Sequence, residues 1–398
     1  MTQKNQLKIT NYAAILSIFL FSGAGSFMNA AVQTMMDAWP ELSATTVRLV
    51  TSLPSLISLP ITIFIGSIAG KKLSYRFCAI LGTALIAIAG VAPFFLHSNW
   101  MMILFFRALV GIGVGFVAMR NSLIIKSVPE ENQAAIIGYG SALMNAGGTL
   151  ASPIVGFLAG FGWKVPFLFD MLAIIPVLMM VFFLKEPEKT EVDKASAHTD
   201  TSQNSPKKTG NNWRVYYYII MQFVATAALY PLLSGMSTYM ADKQIGSAFL
   251  AGISNSVYCL AGVLINLVLS QLLKALRQYT LPVMCLIFSV GMGILVFFPT
   301  VPAIMTGAVL MGITFNTMMS VFQLYNGKTA TAATVTLTST LLIAALSLGN
   351  FMSVYFINLC HAIFHRSSDI ESTYFGSMIL YLIMGILAFV LKIAPEEK

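Results

Sequence analysis

Charge is the scarcest property of this 398-residue chain: Asp, Glu, Lys and Arg make up 10% of it, against about 25% in an ordinary soluble domain. A water-facing globule is thereby excluded. Cysteine is nearly as sparse, with Cys78, Cys259, Cys285 and Cys360 in or beside apolar runs and no C-x-x-C pair among them. That excludes a thiolate zinc site and leaves the four as small buried hydrophobes. The histidines are His97, His198, His361 and His365. The last two are spaced by four, but no third ligand stands near them, so no metal is expected. The sequence has no G-x-x-x-x-G-K-[ST] run to cradle a nucleotide, which argues against an ATP-driven pump. It also has no nucleophile beside a base and no paired carboxylates, so neither an enzymatic site nor a cofactor is expected.

What the chain has instead is apolar length. Hydrophobic residues make up 57% of it, in runs of roughly 20 or more, each long enough to cross a hydrocarbon core of about 30 Å as a helix. Barrel strands are shorter and alternate, so an all-α membrane protein is expected. Twelve spans are placed at roughly 12–36, 45–69, 76–96, 100–125, 133–160, 163–184, 213–240, 247–272, 279–299, 301–325, 330–361 and 372–392. Eleven remains an alternative count. Turn residues at Pro299 and Pro302, and at Tyr325-Asn-Gly-Lys328, favour a break in each place.

The first span has no small-residue cleavage site and is read as a retained helix. With the N-terminus inside, Lys and Arg cluster on one side of the membrane. The inner set is Lys4, Lys8, Lys71, Lys72, Arg76, Arg120, Lys126, six in the central loop, Lys274, Arg277, Lys328, Lys392 and Lys398. The outer set is Arg48, Lys164, Lys243 and Arg366. Both termini are therefore expected in the cytoplasm of a cell, in a multi-pass membrane protein of bacterial type. Topology explains the net charge of +8, and no nucleic-acid partner is needed.

Between Leu184 and Trp213 the chain turns polar and mixed in charge, which reads as a disordered cytoplasmic tether over 185–212. It separates a six-helix bundle at 1–184 from another at 213–398. Glycine and proline lie within the spans, as Pro54, Pro60, Gly111, Gly113, Gly115, Gly147, Gly148 and Pro153. There they permit close helix approach and bending.

Local motifs point further. The loop after the second span reads Gly66-Ser-Ile-Ala-Gly70-Lys71-Lys72-Leu73-Ser74-Tyr75-Arg76; the fourth contains Arg107-Ala-Leu-Val-Gly111-Ile-Gly113; the fifth contains Gly148-Thr-Leu-Ala-Ser152-Pro153-Ile-Val-Gly156-Phe157. Gly162-Trp163-Lys-Val-Pro-Phe167 precedes the sixth, and Gly349-Asn-Phe-Met-Ser353 lies in the eleventh. Together these resemble the major facilitator superfamily over essentially the whole chain, and within it the drug:proton antiporter-like branch. The loop motif is degraded, with Gly70 where the family carries Asp and Leu73 where it carries Gly. The first span also lacks the acid of such antiporters, reading Ala24-Gly-Ser-Phe-Met-Asn29 there. The resemblance implies a monomeric transporter working by alternating access, with helices 1, 4, 7 and 10 around a central cavity. It also implies a coupling role for Arg107 and gating roles for Gly66, Lys71, Lys72, Arg76, Gly111, Gly148, Ser152, Pro153 and Gly156.

The residues themselves narrow the chemistry. A charge at the bilayer centre is expensive, so Arg107 and Asp170, each roughly 10 Å deep by helix rise, are candidates for coupling or anion binding. A structural ion pair is the alternative. Polar side chains recur at helical spacing as Asn29 and Gln33, as Gln222, Thr226 and Tyr230, and as Asn316, Ser320 and Gln323. No acid lies inside a span of the second half. The set suits an anionic or neutral amphipathic organic compound, with proton-coupled export expected and uptake of a small organic acid as the alternative.

Overall fold

The computed structural model describes residues 3–70, 72–187, 213–330, 335–391 and 393. Among these, eleven helices are long and apolar enough to cross a membrane, or twelve when a pair bent by 45° at its break, Thr10–Leu20 with Ala24–Ala38, counts as one span. In chain order the helices are α1 (Gln3–Leu20), α2 (Val32–Ala38), α3 (Ala44–Ile68), α4 (Tyr75–Phe95), α5 (Trp100–Val117), α6 (Arg120–Ser127), α7 (Glu130–Ala159), α8 (Ile174–Phe183), α9 (Trp213–Asp242), α10 (Ala248–Leu267), α11 (Leu269–Leu276), α12 (Thr280–Phe297), α13 (Val301–Thr329), α14 (Val335–Phe364) and α15 (Asp369–Val390). Helix starts carry the expected chemistry. The side chains of Ser74, Asn99, Ser247 and Ser368 each accept a backbone N–H from the first turn of α4, α5, α10 and α15.

Four local expectations need correction. The first span is interrupted by a 3-10 run over Ala24–Ala31, preceded by Gly23 and containing Gly25, which lower the preference for a continuous α-helix. The sixth span opens as a second 3-10 run, Val165–Ala173. The eighth ends at Leu267, and the short helix α11 follows it. Tyr325-Asn-Gly-Lys328 is helical, since α13 continues to Thr329; an isolated glycine is tolerated inside a helix at modest cost. The division between α12 and α13 falls at Phe298–Thr300, beside the prolines that suggest it.

Two compact units are distinguished. The first comprises Met1–Phe27, Leu53–Gly148 and Lys164–Ser205. Its close contacts are made by glycine: Gly111 of α5 meets the Pro54 carbonyl of α3, and Gly113 meets the Gly82 carbonyl of α4, at distances that leave no room for a Cβ. In lipid there is no hydrophobic force between helices, so such backbone approach is the main source of packing.

The second unit comprises Met28–Ser52, Thr149–Trp163 and Pro206–Lys398. Its core is a column of buried aromatics in which Phe288 and Tyr381 stack at 3.6 Å. Four of its buried phenols donate to carbonyls, those of Tyr218, Tyr239, Tyr374 and Tyr381, with Tyr381 to Ala225 O and Tyr218 to Ile393 O both at 2.7 Å. In this unit the second half of α7 lies against α10. Gly156 abuts the Ala248 carbonyl, and Gly252 abuts the Ser152 carbonyl and Pro153. The start of α3 meets α14 through reciprocal hydrogen bonds between Thr45 and Asn358, at 3.0 and 2.9 Å.

Candidate functional site

In the first unit, Arg107 on α5 and Asp170 on the second 3-10 run are both fully buried, with Nη1 and Oδ2 3.6 Å apart. Two sequence choices make this possible. Gly90 on α4 leaves the space that Asp170 fills, since a Cβ there would stand 2.4 Å from its carboxylate. The broken first span presents Ala24 O and Gly25 O, to which Arg107 Nη2 donates at 3.3 and 2.7 Å. The Asp170 carboxylate accepts no hydrogen bond among the described residues. Its charge is balanced by one guanidinium beyond hydrogen-bond range, an incompletely satisfied arrangement for a buried acid.

The second unit gathers polar side chains on α9, α10 and α13. Gln222 is buried, donates to Thr226 Oγ1 at 3.3 Å and contacts the Met319 sulfur, while Thr226 donates back to Gln222 O at 2.7 Å. Ser320 donates to Asn266 Oδ1 at 3.3 Å and to Asn316 O at 3.1 Å. Asn316 donates to Gly312 O at 2.9 Å and sits where Gly262 leaves room. Tyr230 is half-buried, and Gln323 is exposed on the same helix as the half-buried Asn316. Asn29 is buried in the 3-10 run, and Gln33 lies beyond it on α2, donating to Asp37 at 2.8 Å. The break in the first span removes the single helical face that their spacing of four implied. Asn255, which donates to Leu233 O at 3.2 Å, and Asn266 are further intramembrane amides. Their polarity within an apolar run is the signal by which sequence reading finds them.

Arg48 belongs in this account as well. Counted as a loop cation, it lies one turn inside α3 at 1% exposure, within the electrostatic reach of Asp369 and Asp242. Its Nε and Nη1 have no hydrogen-bond acceptor. At the same end of the second unit, Glu371 takes hydrogen bonds from Lys243, Arg366 and Ser367.

The sequence profile of the Major Facilitator Superfamily matches residues 13–351. The chain belongs to the Major Facilitator Superfamily. Its long apolar helices make it a multi-pass membrane protein of that family. Among curated relatives, it is 26% identical over 193 residues to the quinolone resistance protein NorA of Staphylococcus aureus (strain MSSA476), covering 48% of each chain. It is 27% identical over 255 residues to the hexuronate transporter of Bacillus subtilis (strain 168), covering 61% of this chain and 58% of that one. The chain thus spans about half the length of the curated relatives it matches. Among solved structures, the nucleoside transporter NupG superposes with a TM-score of 0.79 at 12% identity, over 97% of this chain and 99% of that one. A D-xylose-proton symporter superposes at 0.75 and 14% identity, over 98% of each.

The loop after α3 turns on a glycine. Gly70, at the position of the family's Asp, adopts φ +78° and packs under Tyr75 so closely that any Cβ would overlap the ring. A side chain there is strained by backbone as well as by space. A carboxylate is supplied from elsewhere: Glu186, just beyond α8, accepts the backbone N–H groups of Tyr75 and Arg76 at 2.8 and 2.7 Å. Arg76 Nη2 donates to Val181 O at 2.7 Å, tying α4 to α8. Gly66 and Lys72 are exposed, and Lys71 lies outside the described residues. Gly111, Ser152, Pro153 and Gly156 make the close helix contacts already described, and Gly148 is half-buried on α7. Of the expected linker, residues 188–212 lie outside the described residues.

Proposed function

We propose that the chain exports anionic or amphipathic organic compounds by alternating access, in exchange for protons, with its termini and the 185–212 linker in the cytoplasm. The observation that carries this is the buried Arg107–Asp170 pair, whose carboxylate is fully enclosed and accepts no hydrogen bond. Arginine stays charged at every physiological pH and cannot release the proton. Asp170 is therefore the group assigned to carry it. Protonation removes the attraction on Arg107, and an organic anion then takes the place of the carboxylate beside the guanidinium. A proton and an organic anion thereby compete for one pair of side chains, which is the logic of exchange. In the second unit, the side chains of Gln222, Thr226, Tyr230, Asn316 and Ser320 are assigned to polar contacts with substrate. The likeness to NorA supports export.

Uptake of an organic acid is the second reading, supported by the hexuronate transporter, whose match extends over more of this chain than that of NorA. Proteoliposomes with an imposed pH gradient separate the two readings. Export by exchange predicts organic anion moving against the proton flow, and symport predicts both moving together. Anion flux that does not respond to the gradient refutes proton coupling in either direction.

A further inference from the structure

A second cation of the first unit has no counter-charge among the described residues. Arg120, at the start of α6, is half-buried, and its Nε is sealed from solvent with no acceptor. The guanidinium lies 5.0 Å from the centre of the Phe19 ring of α1, and Nη2 points at the Met144 sulfur of α7 at 3.7 Å. Among the described residues no carboxylate acts on it. The other two buried arginines differ in this respect: Arg107 has Asp170 and two carbonyls, and Arg48 has the charges of Asp369 and Asp242. The setting is built rather than incidental, because Gly140 of α7 has no side chain where the Phe19 ring lies.

A ring face and a thioether are weak partners for a guanidinium. An uncompensated buried charge is costly, and an oxyanion that accepts from Nε and a terminal nitrogen together is the strong partner that this geometry lacks. We propose that Arg120 is an anion-binding site for the carboxylate of an amphipathic organic substrate, whose apolar body lies against Met144. The site rests on the transporter reading above, and it is separate from the Arg107–Asp170 pair. A lipid phosphate offers similar oxyanion chemistry. The mixed surface of Phe19 and Met144 favours the single carboxylate of a substrate with an apolar body.

The test uses the full-length protein in nanodiscs of phosphatidylcholine alone, so that no anionic lipid is present. Thermal unfolding is followed with 2-naphthoate, decanoate and cholate, each compared with its uncharged amide. At least one carboxylate is expected to raise the wild-type midpoint while its amide does not, since ligands stabilise the folded state they bind. Arg120→Gln should lower the apparent affinity at least about tenfold, with Arg120→Lys between the two. Without ligand, Arg120→Gln should melt no lower than wild type, because it removes an unpaired charge. Equal responses in wild type and Arg120→Gln overturn the site, as does a lowered unliganded midpoint in that variant. Failure of all three carboxylates overturns it too, and a shift produced only by added phosphatidylglycerol assigns the cation to a lipid headgroup instead. If Arg120→Gln does not fold, an Arg120→Lys variant that binds the carboxylates as tightly as wild type refutes the bidentate contact. Gradient-driven flux is measured in parallel. Flux without a carboxylate response removes the site and leaves the transport reading, whereas a response without flux does the reverse.

Discussion

Replacing Asp170 with Asn tests the energetics of the buried pair directly. At 3.6 Å and an effective dielectric constant of about 20, the attraction between two unit charges is about 4–5 kcal/mol. Removing one partner of a buried pair costs about 3–5 kcal/mol, because the other charge is left uncompensated. Asp170→Asn should therefore destabilise the folded protein by about 3–5 kcal/mol. Arg107→Met/Asp170→Ala, which removes both charges, should recover more than half of this, since buried pairs exchanged for apolar groups are often neutral. Full recovery is not expected. Ala24 O and Gly25 O lose their donor, at about 1 kcal/mol each. The assay is reversible unfolding in mixed micelles as the denaturing detergent fraction rises, applied to wild type, Asp170→Asn and the double variant. An Asp170→Asn variant within about 0.5 kcal/mol of wild type, or a double variant no better than the single one, would show that the pair is not a tight electrostatic unit. The idea of competition for it by protons would then fail.

Three further outcomes follow from geometry. Gly156→Leu places side-chain atoms where the Ala248 carbonyl lies 2.4 Å from a notional Cβ; transport should be lost while membrane expression persists, and normal flux in that variant would release α7 from any role in movement. Glu186→Ala strips the paired acceptor from the start of α4 and should lower stability by about 1–2 kcal/mol, measured by the same micelle titration, with an unchanged midpoint counting against the cap. Cysteines placed at Ser196 and Ser367 should be labelled by an impermeant reagent from opposite sides, the first only from the cytoplasm. Labelling of both from one side would overturn the topology.

The spans were legible because a hydrocarbon core demands long apolar runs, and the starts of α4, α5 and α15 are marked by their capping side chains. Helix interruptions were less legible. The run from Ser22 to Ala31 carries no charge and no proline, so hydropathy carries straight across the 3-10 break. Arg107 and Asp170 stood out because charge inside a span is rare, and similar depth made a pairing conceivable. Their contact depends on Gly90 of another helix, which no local pattern displays. Arg48 and Arg120 were assigned to loops because each lies within about a turn of a span boundary, where sequence cannot distinguish a snorkelling cation from a buried one. Gln323 shows the converse. Its spacing fitted the polar face of α13, but helical spacing alone does not say which neighbour, if any, covers a position.

The main-chain ligands of Arg107 have a consequence for mutational mapping. Ala24 O and Gly25 O belong to a segment whose side chains are a methyl and a hydrogen, so replacing either residue leaves its oxygen where it is. A scan that trims side chains one at a time will therefore pass over this part of the site and record it as tolerant. Only a change in the path of the backbone, such as substitutions that convert the 3-10 run into continuous α-helix, takes those oxygens away from the guanidinium. Tolerance in such a scan at Ala24 would then measure how little that side chain matters there, and nothing about how much the segment does.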